Sequence, residues 1–366
     1  MASPDTLFSP FRLKSLSLPN RIVMAPMTRS KSPGQIPGEN VARYYRRRAE
    51  GGVGLIITEG TSPEHFSASN DVNVPAFFGE ASLKGWANVL KNVKAAGGHI
   101  MPQLWHQGVI RHAGAGPYPD RPSMSPSGLS RPGHKVAEPM TQGDIDAVVE
   151  GFAKSAGYAK ALGFDGVEIH GAHGYIIDQF FWDGTNQRGD AYGGSLERRD
   201  RFAVEIIEAV RRTVGPDFPI VLRFSQWKQQ DFAVKLAHDP QELERFLTPL
   251  AHAGVDIFHC STRRFWEPEF PDTGSDLNLA GWTKKISGRP TITVGSVSLT
   301  EDFISTFAQK GTEAAGIDRL LDMLDRGDFD LVAVGRALIT NADWPKRIRD
   351  GRPVAPYDPQ ALATLE

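Results

Sequence analysis

The sequence predicts an α/β protein built as a single (β/α)8 TIM barrel, and three observations support this fold. Short β-rich segments recur eight times along the 366 residues, and most are apolar on consecutive positions, as parallel strands buried on both faces are. Stretches with helical periodicity separate them. The composition does not change between these units, so residues 1–366 are assigned to one domain. A doubly wound sheet is the alternative, but the nucleotide-binding glycine fingerprints that it would need are absent from the sequence.

The elements follow one another in a regular order. The predicted strands are 21–26, 53–58, 99–105, 165–170, 219–225, 256–261, 290–295 and 329–335. The predicted helices are 39–50, 83–96, 143–162, 196–213, 240–253, 317–326 and 343–350. The helix at 143–162 is the best defined, because Thr141 and Asp144 form a capping box at its start and Gly163 is placed to end it.

Segments outside this repeat are predicted to close the two ends of the barrel. Residues 11–19 have the pattern of a short N-terminal hairpin that would plug the barrel floor. On the top face, where the C-terminal strand ends meet, the connections 106–140 and 171–194 are too long to be turns. The first contains six prolines, which favours a shaped lid over a flexible linker.

Composition and charge exclude several classes of protein. Hydrophobic residues make up 40% and charged residues 23% of the chain, which is ordinary for a globular protein with a large core. The net charge of −2 offers no general attraction to nucleic acid or to an anionic membrane. A single cysteine, Cys260, excludes a disulfide framework and a four-cysteine metal or iron–sulfur site. No apolar run approaches the length of a membrane span, and the first residues do not resemble a secretory signal, so we expect a cytoplasmic protein.

The end of the fourth predicted strand carries the strongest functional signal. His170, His173 and Tyr175 fall within six residues, in the sequence His-Gly-Ala-His-Gly-Tyr. Catalytic groups of (β/α)8 barrels lie at such strand ends. Two imidazoles can donate hydrogen bonds to one oxygen, and a phenol close by can deliver a proton. Each residue alone would be interpreted as a packing residue, but the three together predict a catalytic site.

Other strand ends add polar groups to the same face. The first strand ends in the sequence Ala25, Pro26, Met27 and Thr28. Gln103 and Trp105 lie on the third strand and Arg223 on the fifth. Burying an arginine is costly without a partner, so we expect an electron-rich group to face Arg223.

The turns after the seventh and eighth strands have the character of a phosphate site. They contain Gly295 with Ser296, and Gly335 with Arg336. Loops at these two positions form the recurrent phosphate cradle of (β/α)8 barrels. Glycine lets backbone N–H groups approach a phosphate, and an arginine can bind it with two hydrogen bonds. Two tight turns with a surface arginine are an equally good interpretation of these residues alone.

A ligand with a phosphate at one end and a planar heteroaromatic ring at the other would use all of these groups. Gln103 can donate to a ring carbonyl and accept from a ring N–H. Arg223 would offset negative charge on the ring when it is reduced, and Thr28 could donate a hydrogen bond to a ring oxygen. Reduced flavin mononucleotide (FMN) meets this description.

Taken together, the motifs resemble those of the old yellow enzyme family of FMN-dependent ene-reductases. The motifs are Leu18-Pro-Asn-Arg-Ile22, Ala25-Pro-Met-Thr-Arg29, Gln103-Leu-Trp-His106, His170-Gly-Ala-His-Gly-Tyr175, Tyr192-Gly-Gly-Ser195 and Val334-Gly-Arg336. They run in order from about residue 7 to residue 349, nearly the whole chain. The two blocks around His170–Tyr175 and Tyr192–Ser195 are the most specific, whereas the Ala-Pro-Met-Thr segment alone is weak.

The resemblance implies a role for each of these residues. His170 and His173 would clamp the carbonyl oxygen of a substrate, Tyr175 would supply a proton, and Trp105 would line the substrate pocket. FMN would be bound tightly but non-covalently. The residues implied for FMN are Ala25, Pro26, Met27, Thr28, Gly60, Gln103, His170, Arg223, Gly295, Ser296, Gly335 and Arg336.

The resemblance also implies a reaction in two halves. NADPH or NADH would reduce FMN, which would then pass hydride to the β-carbon of an α,β-unsaturated carbonyl or a similar activated alkene. The expected partners are the nicotinamide and an enone-type small molecule, with no nucleic acid and no membrane, in a monomer or homodimer. Two alternatives remain open. One is a metal-dependent barrel hydrolase, since His170 and His173 could share a metal if their segment were helical, although no further ligand is evident. The other is a flavin-binding protein without catalysis.

Overall fold

A computed structural model describes residues 4–304 and 311–365. Eight strands form a closed barrel in which every neighbouring pair is parallel. They are β1 (Ile22–Met24), β2 (Leu55–Thr61), β3 (Ile100–Leu104), β4 (Val167–His173), β5 (Ile220–Lys228), β6 (Ile257–Ser261), β7 (Thr291–Val294) and β8 (Leu331–Val334). Strand order around the barrel follows the chain, and β8 closes the barrel on β1. The predicted (β/α)8 fold is therefore confirmed.

The predicted strands all appear, and three of them extend beyond their predicted ends, with β2 running on to Thr61. β4 continues to His173 and β5 to Lys228, because the two strands keep pairing across an irregularity between Gly171 and His173. The polar sequence at the end of β5 gave no sign of this extension. The extension matters because it brings His173 and Lys228 opposite one another at the top face.

Helices surround the barrel between successive strands. The α-helices of the described residues are Glu39–Glu50, Glu80–Ala95, Gln142–Leu162, Ile176–Phe181, Leu196–Arg199, Arg201–Val214, Pro240–Ala253, Leu279–Ser287, Asp318–Asp325, Arg336–Thr340 and Trp344–Arg349. The predicted capping box is present: Asp144 N–H donates to Thr141 Oγ1 at 3.2 Å, and Thr141 N–H donates to Asp144 Oδ2 at 2.8 Å. Gly163 ends that helix with φ 94°, a left-handed conformation that suits glycine.

The prediction of a single helix at 196–213 was wrong, because the segment forms two helices that are separated at Asp200. The N–H of Asp200 donates to the carbonyl of Leu196 in the first helix. The carbonyl of Asp200 accepts from the N–H of Val204 in the second helix. The helices Ile176–Phe181, Leu279–Ser287 and Arg336–Thr340 were not predicted. For the second of them, Asn278 was a usable signal, since its side chain accepts from Gly281 N–H as an N-cap.

The predicted N-terminal hairpin is present and lies under the barrel. Strands Phe11–Leu13 and Leu16–Leu18 pair antiparallel. At the turn, Lys14 forms an ion pair of 2.5 Å with Asp256, just before β6, and Ser15 donates to the carbonyl of Asp217, just before β5. Phe11, Leu16 and Leu18 belong to the same buried cluster as the side chains inside the barrel. The hairpin therefore closes the N-terminal end of the barrel.

The 106–140 connection is folded around a buried arginine. Arg111 donates from its two terminal nitrogens to the carbonyl oxygens of Arg121 at 2.6 Å and Tyr118 at 2.5 Å. At its start, His106 Nε2 lies 3.0 Å from Nδ1 of His65, which follows β2. These contacts give the connection a defined shape over the top face. Among the described helices, none combines the length and apolar character needed to cross a membrane.

Candidate active site

The top face of the barrel contains a cavity of about 280 Å³. Its lining includes every site residue predicted from the sequence except Gly60. Residues that were not predicted also line it: Trp227, Gln229, Ser261, Thr262, Arg263, Val294, Val297, Leu299, Phe303 and Ala333. The strand ends thus bring together residues that are more than 300 positions apart in the chain.

Gly60 lies behind the cavity wall. It sits on β2 opposite Gln103, and a Cβ atom built on it would come within 2.6 Å of Cε3 of Trp105. A side chain here would therefore displace the indole that lines the cavity. This glycine makes room for Trp105, and its contact with a flavin stays a prediction.

The tautomer of His170 follows from its backbone contact. Nδ1 accepts a 3.2 Å hydrogen bond from the N–H of Ala172, so the proton of the neutral ring is on Nε2. Burial, together with the nearby charge of Arg223, holds the pKa of His170 well below its usual value. His170 is therefore a neutral donor at physiological pH.

His173 is held rigidly against the end of β5. Its backbone has φ 65°, and its N–H donates to Ser225 Oγ at 3.0 Å. Its ring stacks on Trp227, with centroids 4.5 Å apart and planes 16° apart. Nε2 lies 2.7 Å from Ser261 Oγ. Burial and the charge of Arg223 hold the pKa of His173 well below its usual value, so this ring is also neutral.

Tyr175 completes the group of three predicted catalytic residues. Its ring centroid is 5.1 Å from that of His170 and 5.0 Å from that of Trp105, edge-on to both. Burial raises its pKa above the ordinary value of 10.0, so the phenol keeps its proton at neutral pH.

A buried ion pair fixes the loop that carries Tyr175. Lys228 at the end of β5 is paired with Asp178, and both side chains are 0% exposed. The other oxygen of Asp178 accepts from Gly174 N–H at 2.7 Å. Neither Lys228 nor Asp178 was predicted, because their positions become neighbours only through the extension of β5.

Gln103 has a buried carboxylate beneath it. Its Nε2 donates to Glu168 Oε1 at 2.7 Å, and Glu168 Oε2 lies 2.6 Å from Nδ1 of His259. Both partners are 0% exposed. Sequence reasoning missed them, although a glutamate and a histidine in otherwise apolar strands were a usable signal, because buried titratable groups need partners.

Arg223 is buried as expected from its place on a strand, and the electron-rich group that should face it stays a prediction. Among the described residues Arg223 forms no ion pair, and its Nη2 donates a hydrogen bond to Ser261 Oγ at 3.2 Å. Its Nε is buried without a partner. Burial lowers the pKa of Arg223, and the nearby Glu168 opposes this effect. The guanidinium is thus available to an electron-rich ligand in the cavity.

The predicted phosphate residues meet at the opposite end of the cavity. Gly295 has φ 141°, and a Cβ atom on it would come within 2.7 Å of the carbonyl oxygen of Thr262, so the turn requires glycine. Ser296 Oγ lies 3.0 Å from the carbonyl oxygens of Arg263 and Glu301. Arg336 donates to the carbonyl oxygens of Glu301 and Asp302, at 2.6 and 2.9 Å. Arg263 joins this end of the cavity and is paired with Asp302 at 2.7 Å.

The segment after β1 is anchored by another buried carboxylate. Ala25, Pro26, Met27 and Thr28 line the cavity, and Thr28 is exposed at its mouth. The next two residues donate their backbone N–H groups to Glu59 Oε2, at 2.9 and 3.0 Å. Burial raises the pKa of Glu59 to about 7.

The metal-hydrolase alternative lacks a ligand set. Within residues 4–304 and 311–365, no three histidine, cysteine, aspartate or glutamate side chains come together as metal ligands would. His170 and His173 lie on a strand end and contact each other edge-on, with centroids 5.0 Å apart. The helical spacing on which that alternative depended is therefore absent.

Comparison with known families decides the classification. The model of the NADH:flavin oxidoreductase / NADH oxidase family matches residues 6–355. The chain belongs to this family. Its resemblance to the old yellow enzymes is thereby confirmed, and the protein is a flavin-dependent oxidoreductase.

Individual relatives agree with this placement. An NADH oxidase of Thermoanaerobacter brockii is 35% identical over 94% of this chain, which spans only 51% of that protein. Putative 12-oxophytodienoate reductase-like protein 1 of Arabidopsis thaliana is 34% identical, and the match covers 93% of this chain and 99% of the relative. The solved structure of morphinone reductase in complex with tetrahydroNAD superimposes with a TM-score of 0.81 at 29% identity, covering 97% of this chain and 93% of the other.

Proposed function

We propose that this member of the family is an FMN-dependent ene-reductase. It would use NADPH or NADH to reduce the C=C bond of an α,β-unsaturated carbonyl or a similar activated alkene. The observation that carries the proposal is the convergence of His170, His173 and Tyr175 on one wall of the cavity, with Arg223 and Gln103 lining the same cavity.

The residues of the cavity fit FMN. Gln103 and the partly unsatisfied guanidinium of Arg223 suit the polar edge of a flavin ring. The glycine turn at Gly295 and the guanidinium of Arg336 suit its phosphate at the opposite end. When bound, FMN supplies the hydride chemistry of both half-reactions.

The two histidines would polarise the substrate. Each is neutral, and His170 carries its proton on Nε2, so its role is to donate a hydrogen bond to a carbonyl oxygen where negative charge develops. The oxygen would replace Ser261 as the partner of His173 Nε2. Removing one donor of this kind typically slows a reaction by about 10²–10³.

Tyr175 would hold the proton that completes the reduction. Its phenol is protonated at neutral pH and lies edge-on to His170, so a substrate clamped by the histidines would have its α-carbon near the phenolic oxygen. Trp105 and Trp227 flank the catalytic residues, and both line the cavity. Their rings would exclude water from the reacting bond.

Nicotinamide use is supported by one relative in particular, since morphinone reductase was solved in complex with tetrahydroNAD.

An anaerobic absorbance titration with NADPH, followed by 2-cyclohexenone, tests the proposal directly. We expect a flavin band that bleaches with NADPH and returns with the enone.

The other outcomes would overturn parts of the proposal. A band that bleaches and does not return would contradict the enone as acceptor. A flavin band that NADPH and NADH both leave unchanged would favour a flavin-binding protein without catalysis. A purified protein that takes up no FMN would contradict the whole proposal.

A further inference from the structure

We propose that Glu168 and His259 are positioning residues for the flavin, which fix the amide orientation of Gln103 and place a negative charge beneath the ring. The inference rests on the proposed FMN site. It concerns two side chains that do not line the cavity and that no step of the proposed reaction uses.

The geometry forms a chain of three side chains across the barrel interior. Gln103 on β3 donates to one oxygen of Glu168 on β4, at 2.7 Å. The other oxygen is 2.6 Å from Nδ1 of His259 on β6. A carboxylate only accepts hydrogen bonds, and here each of its oxygens faces a donor. Hydrogen bonds are therefore donated toward the carboxylate from both sides, by the buried imidazole and by the Gln103 amide at the cavity.

This direction fixes which end of the Gln103 amide faces the carboxylate. Reversing the amide would place its oxygen against a carboxylate oxygen, so the NH₂ group is held on Glu168. Oε1 and the second amide hydrogen are left for the cavity. An acceptor and a donor side by side are what the polar edge of a flavin ring requires. Without the carboxylate, an amide can turn either way.

The charge of Glu168 also acts on the ring site. It is 0% exposed, and the buried Arg223 lies close enough for their charges to interact. Burial holds the pKa of His259 below its usual value, so His259 adds no positive charge. Glu168 therefore offsets part of the positive charge of Arg223. Removing the charge of Glu168 would make the ring site more positive, which favours the reduced, anionic flavin.

One ring nitrogen of His259 is left without a hydrogen bond, which a purely structural role does not explain. Its Nε2 is buried without a hydrogen-bond partner, which costs free energy. An apolar side chain at this position would avoid that cost. What the imidazole adds is the Nδ1–H donor that holds Glu168 in place.

The test uses Glu168→Gln in the full-length protein, with two measurements on each variant. One is the Kd of FMN for the apoprotein, from flavin fluorescence quenching. The other is the midpoint potential of the bound flavin, from equilibration with a reference dye. We expect FMN binding about tenfold weaker, because a hydrogen bond to a charged group is lost, and a midpoint potential shifted to more positive values. Glu208→Gln, the same loss of charge on an outer helix, should change neither.

Unchanged affinity and potential in folded Glu168→Gln would overturn the inference. A merely structural role predicts lower stability with an unchanged potential, and that result would also overturn it. If Glu168→Gln does not fold, the same two measurements are made on His259→Asn. We expect smaller changes in FMN affinity and midpoint potential, in the same directions. Unchanged values in this variant would overturn the inference. Wild-type protein that binds no FMN would instead refute the proposed function, so the two failures are distinguishable.

Discussion

Tyr175 is the side chain whose loss should separate the two halves of the proposed reaction. Tyr175→Phe keeps the edge contacts with His170 and Trp105 but removes the proton. We expect normal flavin content and normal reduction by NADPH, with alkene reduction slower by about 10²–10⁴. Stopped-flow measurement of each half-reaction checks this. Tyr158→Phe on an outer helix is the control, and unchanged enone turnover in Tyr175→Phe would remove the proton-donor assignment.

Arg223 is expected to decide whether the flavin binds at all. Arg223→Ala removes the buried guanidinium, so the purified protein should contain little FMN and bind added FMN more weakly by tenfold or more. Arg223→Lys keeps a charge without the planar fork and should be intermediate. The flavin-to-protein absorbance ratio measures both, and a fully loaded, normally reducible Arg223→Ala variant would contradict the role.

Many single residues that line the cavity could be predicted from the sequence, and there is a physical reason why others could not. Tyr175 was singled out because two histidines stand within five residues of it, and Gln103 and Arg223 because they are polar residues on apolar strands. Glu168 and His259 were missed because their partners come from other strands. Only closure of the barrel brings Gln103, Glu168 and His259 within hydrogen-bonding distance of one another.

Among the elements, the junction between β5 and the helix Ile176–Phe181 should be sensitive to charge. Lys228→Met leaves Asp178 buried without its cation, and burial already raises the pKa of that carboxyl. We expect a loss of about 3–5 kcal/mol in the free energy of unfolding, measured with urea. Lys135→Met breaks an exposed pair with Glu138 and should cost about 1 kcal/mol or less. Equal effects of the two changes would contradict the importance of the buried pair.

The contact between the 106–140 connection and the loop after β2 should depend on pH. Burial lowers the pKa of His65 to about 4, from an ordinary 6.5, and the pKa of His106 is lowered as well. As the pH falls, these histidines are protonated in the unfolded chain before they are protonated in the folded protein, so folding loses stability. The contribution of His65 is complete above about 6.5 and is lost between 6.5 and 4, and that of His106 falls in the same direction.

Thermal unfolding between pH 7 and pH 4 measures this effect. The Tm should fall more steeply for the wild type than for His65→Gln, because the variant lacks one of the two titrating groups. His134→Gln, at an exposed position of the same connection, is the control. A wild-type curve no steeper than that of His65→Gln would show that the pair does not contribute.

Element boundaries were harder to predict than element types. The alternation of apolar strands and amphipathic helices predicted the barrel, but the extension of β5 to Lys228 depends on hydrogen bonds to β4, which is distant in the sequence. Local sequence carries no record of such bonds. The hairpin under the floor was predictable because its pairing is local.

At the scale of the whole molecule, FMN should act as a stabilising ligand. A ligand that binds only the folded state adds about 2.7 kcal/mol at a hundredfold excess over its Kd, so the Tm of the apoprotein should rise with FMN concentration. EDTA should leave the Tm unchanged, since no group of metal ligands is found among residues 4–304 and 311–365. A Tm lowered by EDTA and insensitive to FMN would revive the metal-dependent alternative.

The floor hairpin has a practical consequence for use of the protein on a solid support. Its exposed residue Arg12 lies at the end of the barrel opposite the cavity mouth, and the chain's single cysteine, Cys260, is fully buried. Arg12→Cys would therefore provide one reactive thiol for coupling to a bead or an electrode. Molecules attached there would all point their open mouths away from the surface, so substrate would reach every one of them equally.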